Sequence, residues 1–493
     1  MYDIVVLGGG PAGVTAALRA SELGTSVALV ERGRMGGTCT NDGCVPTRAL
    51  AKAARLRRDA AQFEDYGLSG VQIEVDFERL IARTQYIVYQ IHEKKQLIKH
   101  LEDSGVDVYA EVGPASFLDE HTVSFGQDGQ LEGKKFILCV GGHARRFPFP
   151  GVDLALTHSD IWSLKKLPES VAIVGAAATG CQLASIFNAF GVQVYLLDLA
   201  PDILPLEDRL TSQVMSLAFQ LRGIENLTGI GGVQKIEKNT DGRLMVQYQV
   251  ADDTQTLEVE TVVLAVGWVG NLEDLNLGAA GVETKRGYVV VDDYLRTTAE
   301  NIYAAGDITG RMMLVQSGSY EGRVAAENAV LGPGNPQQHL VVPHGGFTDP
   351  EYGSVGLTEQ QATTEGLDYT VAVVPYADID RGVIDGYTEG FCKLIVSKDN
   401  HRIIGAHVVG EQALEVIQLV AAGMAADMWV EQLAEIELAY PTYTAIVGLA
   451  ARQIVRELGV MPLAPQWRAL ARAHAAEWER RDTNSGSPGS SRI

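Results

Sequence analysis

Cys39 and Cys44 are two of only five cysteines in 493 residues, and they share the short stretch GGTCTNDGCVPTRAL. A chain of this length has enough apolar residues to form a core without disulfide staples. A pair this close in sequence therefore indicates redox or catalytic chemistry. A zinc site would need four ligands, and no second cysteine pair or paired histidines supply the others, so we expect no metal here.

A helix is expected directly after the pair. Pro46 suits the first turn of a helix that runs through residues 49–56. Cys44 would then lie near the positive N-terminus of that helix, which lowers the pKa of a thiol and favours the nucleophilic thiolate. The three remaining cysteines lie singly in apolar segments, where we expect buried small side chains: Cys139, Cys181 and Cys392.

A glycine-rich loop precedes the pair. The apolar strand IVVL leads into GGGPAG, and a helical pattern follows. Gly8 permits the tight turn, Gly10 lets the backbone approach a pyrophosphate, and Gly13 lets helix and strand pack closely. A second strand ends at Glu31, about the 20 residues further on where a ribose partner is expected. These features predict a dinucleotide site.

The same pattern occurs a second time. The strand SVAIV leads into a loop from Gly175 to Gly180, followed by a helix and the strand QVYLL, which ends at Asp198. Ala177 takes the middle glycine position, where its Cβ makes the cradle slightly wider. Asp198 would accept a hydrogen bond from a ribose 2′-OH and repel a 2′-phosphate, which favours NADH over NADPH.

The composition limits the partners of this chain. Its formal charge of −22 disfavours nucleic acid and anionic membranes, because both select for Lys and Arg. No apolar run approaches the roughly 20 residues that a membrane span needs. The first strand begins at once and leaves no room for a signal peptide. We expect a cytoplasmic protein.

Together these features resemble the pyridine nucleotide-disulfide oxidoreductases, the flavoprotein family of glutathione reductase, lipoamide dehydrogenase and mercuric reductase. Four further segments are similar to family motifs. NIYAAGD, which ends at Asp307, is similar to the second FAD motif, LCVGGHARRFPFPG and AVGWVGN to the links between domains, and FTDPEYGSVGLTE to the start of the dimerisation domain. The resemblance covers roughly residues 1–460.

The resemblance implies an α/β fold with two Rossmann-like dinucleotide-binding domains and a C-terminal α+β dimerisation domain. It assigns residues 1–150 and 270–335 to an FAD domain and residues 151–269 to an NAD domain. Residues 342–462 form the interface domain by the same resemblance. Residues 463–493 lie beyond it, and we expect a C-terminal helix and a disordered tail there.

The resemblance also assigns the cofactors. FAD takes the first loop, with Glu31 on its adenosine ribose and Asp307 on its ribitol, and NADH takes the second loop. The other positions that it assigns to the two cofactor sites are Gly37, Thr38, Gly113, Gly141, Val233, Gly267 and Val315.

By the same resemblance, Cys44 lies against the flavin ring and Cys39 faces outward to exchange with a disulfide. Hydride passes from NADH to FAD, and electrons then reduce the disulfide between the two cysteines. Relatives carry a lysine after this motif, paired with a glutamate on the NAD-domain helix, and these positions hold Arg48 and Gln182 here. We expect a hydrogen bond in place of their ion pair.

One family motif is altered. Disulfide reductases of the family carry HPTxxE near the C-terminus, whose histidine serves as acid-base in the other subunit, whereas this chain reads AYPTYTA with Tyr440 at the histidine position. A phenol, with a reference pKa of about 10, is a poor base at neutral pH. Disulfide exchange should therefore be slow or use another base. Mercuric reductase adds a C-terminal cysteine pair, and no cysteine follows Cys392 here.

Three functions are compatible with these residues. In the first, an FAD enzyme passes electrons from NADH through the cysteine pair to a small-molecule or disulfide acceptor. In the second, the flavin reduces a quinone or other small acceptor directly, which needs no acid-base dyad. In the third, the protein is a redox-sensing flavoprotein whose C-terminal helix binds a partner. The resemblance also implies a homodimer, because the Tyr440 segment would complete the neighbouring subunit's site.

Overall fold

Parallel and antiparallel sheets follow one another along this computed structural model, which describes residues 1–70 and 73–460. The strands are β1 (Tyr2–Leu7), β2 (Val27–Val30), β3 (Val106–Tyr109), β4 (Ala115–Asp119), β5 (Thr122–Phe125), β6 (Gly129–Leu138), β7 (Gly142–Ala144), β8 (Leu156–Thr157), β9 (Ser170–Val174), β10 (Gln193–Leu197), β11 (Glu225–Leu227), β12 (Gly232–Lys238), β13 (Leu244–Val250), β14 (Asp253–Val259), β15 (Thr261–Leu264), β16 (Trp268–Gly270), β17 (Thr284–Lys285), β18 (Tyr288–Val289), β19 (Ile302–Ala304), β20 (His344–Gly346), β21 (Glu351–Gly356), β22 (Tyr369–Pro375), β23 (Phe391–Ser397) and β24 (Ile403–Gly410).

The α-helices of the same ranges lie between these strands or, for the last three, after β24. They are α1 (Pro11–Glu22), α2 (Gly37–Asn41), α3 (Cys44–Ala60), α4 (Phe77–Lys95), α5 (Leu97–Asp103), α6 (Ala178–Ala189), α7 (Arg209–Leu221), α8 (Val315–Leu331), α9 (Glu359–Thr364), α10 (Asp380–Asp385), α11 (Ala413–Ala425), α12 (Val430–Ala434) and α13 (Ala445–Leu458). The C-terminal helix and tail predicted for residues 463–493 lie outside the described residues.

The first sheet has the strand order β3-β2-β1-β6-β5-β4, and β19 joins it by pairing with β6. Strands β1, β2 and β3 run parallel to one another, and the C-terminal half of β6 runs parallel to β1 and β19. The last four residues of β1 and all of β2 are buried, as expected for strands covered on both faces. A segment after residue 300 therefore completes the sheet that begins at residue 2.

The second sheet, with the order β11-β10-β9-β15-β8, is parallel throughout. Its β9-α6-β10 unit repeats the β1-α1-β2 unit of the first sheet. In the first unit the Gly8 amide donates to the Val30 carbonyl at 2.8 Å, and in the second the Gly175 amide donates to Leu197 at 2.7 Å. An antiparallel sheet of β12, β13 and β14 follows the second unit.

The C-terminal part, from β20 to α13, forms an antiparallel sheet with helices packed on it, and we call it the C-terminal layer. Its antiparallel sheet has the order β20-β21-β24-β23-β22, and helices α11 and α13 pack on it around one apolar core. This mixture of sheet and helix is the α+β architecture predicted for the end of the chain. No helix within the described ranges is long and apolar enough to span a bilayer.

The predicted elements around the two loops are present, with small changes in their bounds. The strands SVAIV and QVYLL match β9 and β10 residue for residue. The helix after the cysteines begins at Cys44, with Pro46 in its first turn as predicted, and it extends to Ala60. Cys139, Cys181 and Cys392 are buried, as predicted.

Helix α1 packs on α8 through small side chains, and this contact fixes the end of α1 that carries the first loop. A Cβ added at Gly322 of α8 would lie 2.2 Å from the carbonyl oxygen of Ala12. Gly322 therefore allows the two helix backbones to approach each other.

We expect Gly322→Ala to lower the midpoint of thermal unfolding by about 3 °C or more, because overpacking costs about 1–3 kcal/mol. The matched control is Gly278→Ala, whose added Cβ meets nothing within 4 Å. The measurement is a thermal unfolding curve of each purified variant. Equal midpoints for the two variants would contradict this interpretation of the α1–α8 contact.

Candidate active site

The first glycine loop is tightly packed at Gly13 but leaves space for a ligand at Gly10. A Cβ added at Gly13 would lie 1.8 Å from the carbonyl oxygen of Gly8, so the helix packs directly on the loop. A Cβ added at Gly10, the residue that caps α1, would meet only the Gly37 Cα, at 3.7 Å. The N-terminus of α1 therefore remains open on the side of Gly10, where a phosphate can approach the backbone.

Glu31 closes this loop with both of its carboxylate oxygens. Oε2 accepts the Gly9 amide at 2.6 Å and Oε1 accepts the Gly33 amide at 2.8 Å. A carboxylate oxygen can accept more than one hydrogen bond, so Glu31 still has lone pairs for a ribose hydroxyl. Its position at the end of β2 is the one predicted.

The second loop has the same geometry. A Cβ added at Gly180 would lie 1.7 Å from the carbonyl oxygen of Gly175. Asp198 Oδ2 accepts the Ala176 amide at 2.5 Å, and Oδ1 accepts the Ala200 amide at 2.7 Å. Ala177 caps α6 as Gly10 caps α1. Ala177 thus adds at the helix cap the methyl group that the sequence predicted, and three further positions differ between the loops, 9, 11 and 12 in the first and 176, 178 and 179 in the second.

The cysteine pair lies directly beside the first loop. A Cβ added at Gly37, the first residue of α2, would lie 2.8 Å from the Gly10 Cα, so this helix begins against the loop. Thr38 and Cys39 follow in α2, and Cys44 is the first residue of α3. The predicted nucleotide loop and the predicted redox pair thus form one site.

The two sulfurs are hydrogen-bonded thiols and have opposite acidities. A hydrogen bond from Cys39, helped by the Cys44 amide, lowers the pKa of Cys44 to about 7 although partial desolvation of the sulfur opposes this, and the Cys44 residue is exposed to solvent. The same hydrogen bond and burial raise the pKa of Cys39 far above that of an ordinary thiol. The first proton therefore leaves Cys44, as its position at the start of a helix predicts.

Helix α4 contributes a cation and a histidine that the sequence did not reveal. Lys95 Nζ donates to Thr40 Oγ1 at 3.3 Å, and its charge lowers the pKa of both cysteines. One turn earlier, His92 Nε2 contacts Asn41 Oδ1 at 2.8 Å. Both contacted residues lie between the cysteines. The i, i+3 spacing on α4 was the available signal, but no motif connects it to the pair.

Asp307 approaches the same sulfurs from the other end of the domain. Burial, with the nearby Glu321, raises the pKa of Asp307 to about 6, and its charge raises the pKa of Cys39 and Cys44. Glu321 is fully buried and accepts the Gly306 amide at 2.7 Å. The segment NIYAAGD therefore ends beside the cysteine pair, although more than 260 residues separate them.

The predicted hydrogen bond between Arg48 and Gln182 is wrong. Arg48 Nη1 instead pairs with Glu351 Oε1 at 2.7 Å, and its guanidinium lies over the Phe347 ring at 4.6 Å from the centroid. Gln182 Oε1 accepts the Phe347 amide at 3.1 Å. An arginine forms a stronger bond to a carboxylate than to a neutral amide, and a buried carboxylate lies within its reach.

The other predicted cofactor positions surround the two loops. The Gly113 amide donates to the carbonyl of Arg32, next to Glu31, and Gly141 accepts the Asn271 amide. Gly267 accepts the amide of Arg145, and the segment that enters β12 contacts Asp198 through the Ile230 amide. Val233 lies in β12 and Val315 is the first residue of α8.

Tyr440 lies away from the residues just described, at the surface of the C-terminal layer. Its side chain is 51% exposed, and its hydroxyl donates to Asp380. Within the described residues it is therefore held by a carboxylate of its own layer. Its predicted place in the neighbouring subunit's site stays a prediction.

A pocket of about 550 Å³ opens beside the cysteine pair. Asn41 lines it from the segment between the cysteines, and Pro46 lines it from the first turn of α3. Its other walls combine an arginine, two polar side chains and apolar groups: Arg34, Ile81, Thr84, Gln85, Val88 and Trp162. Such a mixed lining can hold a small organic molecule that carries polar groups.

Residues 2–322 match the family described as pyridine nucleotide-disulphide oxidoreductase, and residues 342–451 match its dimerisation domain. The chain belongs to the class I pyridine nucleotide-disulfide oxidoreductases. It is therefore an α/β flavoprotein oxidoreductase of a family that uses FAD and a pyridine nucleotide. The dimerisation domain supports a homodimer.

Several relatives match over most of their length. The dihydrolipoyl dehydrogenase of Zymomonas mobilis is 33% identical over 434 residues, which cover 85% of this chain and 90% of the relative. The mercuric reductase of Staphylococcus aureus is 33% identical over 455 residues, 91% of this chain and 82% of the relative. The Cu(II) complex of the HOCl-induced flavoprotein disulfide reductase RclA from Escherichia coli matches with a TM-score of 0.81 and 28% identity, covering 92% of this chain and 99% of that chain.

We expect the Cys44 thiol of the reduced protein to be alkylated with a half-point near pH 7, because its pKa is lowered to about 7. Lys95→Gln should move this half-point to higher pH, because the lysine charge favours the thiolate. The measurement is the rate of iodoacetamide labelling at Cys44 against pH, by mass spectrometry. Lys94→Gln, one residue earlier, is the control, and equal shifts in both variants would contradict a specific role of Lys95.

Proposed function

We propose that this protein is an FAD-dependent, NADH-oxidising enzyme of the cytoplasm that passes two electrons through Cys39 and Cys44 to a small acceptor. The observation that carries the proposal is the convergence of the first glycine loop, the cysteine pair and Asp307. Members of the family use FAD and a pyridine nucleotide. In this proposal the first glycine loop binds FAD and the second binds NADH.

The residues of the first loop fit FAD. The open side at Gly10 and the amides at the start of α1 would hold the pyrophosphate, Glu31 the adenosine ribose, and Asp307 the ribitol. Bound there, FAD supplies the transfer of two electrons from NADH. The residues of this chain then have to accept those electrons and take up the protons that accompany them.

The cysteine pair can do both. Two electrons and two protons convert the disulfide between Cys39 and Cys44 into two thiols. The Cys39 sulfur can then attack an acceptor disulfide, releasing one thiolate, and attack by Cys44 on Cys39 releases the product and restores the disulfide. The first thiolate forms on Cys44, whose pKa is lowered to about 7, and it takes up the proton of the Cys39 thiol along the hydrogen bond between the sulfurs as Cys39 attacks.

The acceptor need not be a disulfide. Tyr440 bonds Asp380 of its own layer, and a phenol is a poor acid-base for a leaving thiolate at neutral pH. Acceptors that have no leaving thiolate, such as a metal ion or a quinone, are favoured for this reason. The RclA complex with Cu(II) makes that ion a suitable probe, since a thiol pair supplies soft ligands for copper.

A second candidate function is direct reduction of a flat organic acceptor. The observation that favours it is the pocket of about 550 Å³ beside the cysteine pair, with Arg34 and Trp162 in its walls. A quinone could bind there with its oxygens on the polar groups, and its reduction would not require the thiols.

Cys39→Ser separates the two functions. If electrons leave through the thiols, NADH oxidation with Cu(II) or a small disulfide should fall by at least about 10-fold, a loss of about 1.4 kcal/mol of transition-state stabilisation. Oxidation with a water-soluble naphthoquinone should survive if the flavin reduces it directly. The measurement is the steady-state rate of NADH loss, with Cys392→Ala as the control because that cysteine is buried in β23. Unchanged rates with all three acceptors would contradict the proposed use of the pair.

The second loop supports NADH as the reductant. Asp198 ends β10 with both oxygens on backbone amides, where it can also accept ribose hydroxyls and would repel a 2′-phosphate. Leu199 and Ala200 follow it, so no cation stands beside it in sequence.

We expect Asp198→Ala to raise the KM for NADH by about 10-fold or more, because a hydrogen bond to a charged group contributes about 1.5–3 kcal/mol. The KM for NADPH should rise less or fall, since the repulsion is removed. Steady-state kinetics with both nucleotides measure the ratio, and Asp202→Ala in the following loop is the control. An equal rise for both nucleotides would contradict the ribose assignment.

A further inference from the structure

Arg48 is held by one short segment of the C-terminal layer. Phe347 places its ring under the guanidinium, 4.6 Å from the ring centroid, and Glu351 accepts from Nη1 at 2.7 Å. Gln182 of α6 fixes the same segment from the other side, because its Oε1 accepts the Phe347 amide. The segment from residue 347 to residue 351 thus determines where the arginine points.

Glu351 is an unusual carboxylate. Its side chain is 1% exposed, and its Oε1 also pairs with Arg55, two turns further along α3. Its Oε2 is buried without a hydrogen-bond partner among the described residues. A buried carboxylate oxygen left without a partner costs stability, so the position calls for an explanation beyond packing.

We propose that Glu351 is the positioning residue for Arg48, and that it supplies from strand β21 the negative charge that the family resemblance expected from α6. This inference rests on the proposed function, because it needs FAD beside the N-terminal part of α3. Arg48 lies one turn after Cys44 on that helix, and its guanidinium is turned towards Phe347 and Glu351. Glu351 partly neutralises this charge, and strand β21 therefore contributes to the redox properties of the flavin.

The test is a double-mutant cycle on the purified, FAD-loaded protein. Its measurement is the flavin midpoint potential, obtained by equilibration with a reference dye and a chemical reductant without NADH. Glu351→Gln should raise this potential, because a less neutralised Arg48 stabilises the negative charge of reduced flavin. In the Arg48→Met background the same change should leave the potential unmoved. An equal rise in both backgrounds would overturn the proposal, since Glu351 would then act without the arginine.

Glu415→Gln is the matched control. Glu415 also faces Arg48, but at 3.9 Å and with a side chain that is 60% exposed, so solvent screens its charge. We expect no change in the potential for this variant. A shift as large as that of Glu351→Gln would show that general charge matters rather than the position of Glu351, and would overturn the proposal.

Glu351→Asp keeps the measurement possible if Glu351→Gln does not fold. It retains the charge but withdraws the oxygen from Arg48, and it should alter the visible spectrum and the potential of the bound flavin. The rescue variant adds Gln182→Glu to either change and should move the potential back towards that of the original protein. If Glu351→Asp binds FAD with an unchanged potential while Arg48→Met shifts it, the proposal is wrong.

Failure of the proposed function would look different. In that case the protein without substitutions would purify without FAD, or NADH would not decrease the visible absorbance of its flavin. Failure of the present inference would show in the cycle while the original protein still binds FAD and reacts with NADH.

Discussion

The orientation of helix α3 decides where the reactive residues lie, and buried charges fix that orientation. Its first residue is Cys44, its second turn carries Arg48, and its C-terminal half carries Arg55 and Arg58. These arginines pair with carboxylates of the C-terminal layer, and Arg58 Nη2 contacts Glu411 Oε2 at 2.9 Å. Glu351 and Glu411 are almost inaccessible to solvent, so loss of an arginine partner would leave a carboxylate poorly compensated, and the helix has one preferred position.

Opposing charges meet at the cysteine pair. Lys95 favours the thiolates and Asp307 disfavours them, while the hydrogen bond between the sulfurs assigns the lower pKa to Cys44. The lysine comes from α4 and the aspartate from the segment after β19. The acidity of the pair is therefore set by parts of the chain that are distant in sequence, and the helix N-terminus that the sequence reveals is only one contribution.

Local patterns predicted the parts of the fold that depend on neighbouring residues. The two glycine loops, the strands around them and the carboxylates Glu31 and Asp198 follow from spacing alone, because a β-α-β unit is built from consecutive residues. The start of α3 is also local, because a proline in the first turn and Cys44 near the N-terminus are both read from neighbouring residues. The family confirmed the α/β class and the dimerisation domain.

Contacts between distant segments could not be predicted in the same way. Glu351 lies in a stretch that the sequence marked only as the start of a domain, and nothing in its spacing connects it to Arg48. The resemblance pointed to Gln182 because relatives carry a carboxylate there, and the chemistry of arginine selected another partner. Lys95 and His92 were missed because their only pattern is a common helical spacing.

The β1-α1-β2 and β9-α6-β10 units can be compared with each other within this chain. Both close through the same carboxylate-to-amide bonds, and one of the differences between them is the residue that caps the helix, Gly10 in one and Ala177 in the other. A methyl group can be added to the first or removed from the second within a single molecule. The two changes test how a Cβ at the helix cap affects binding at each loop under the same solvent and temperature.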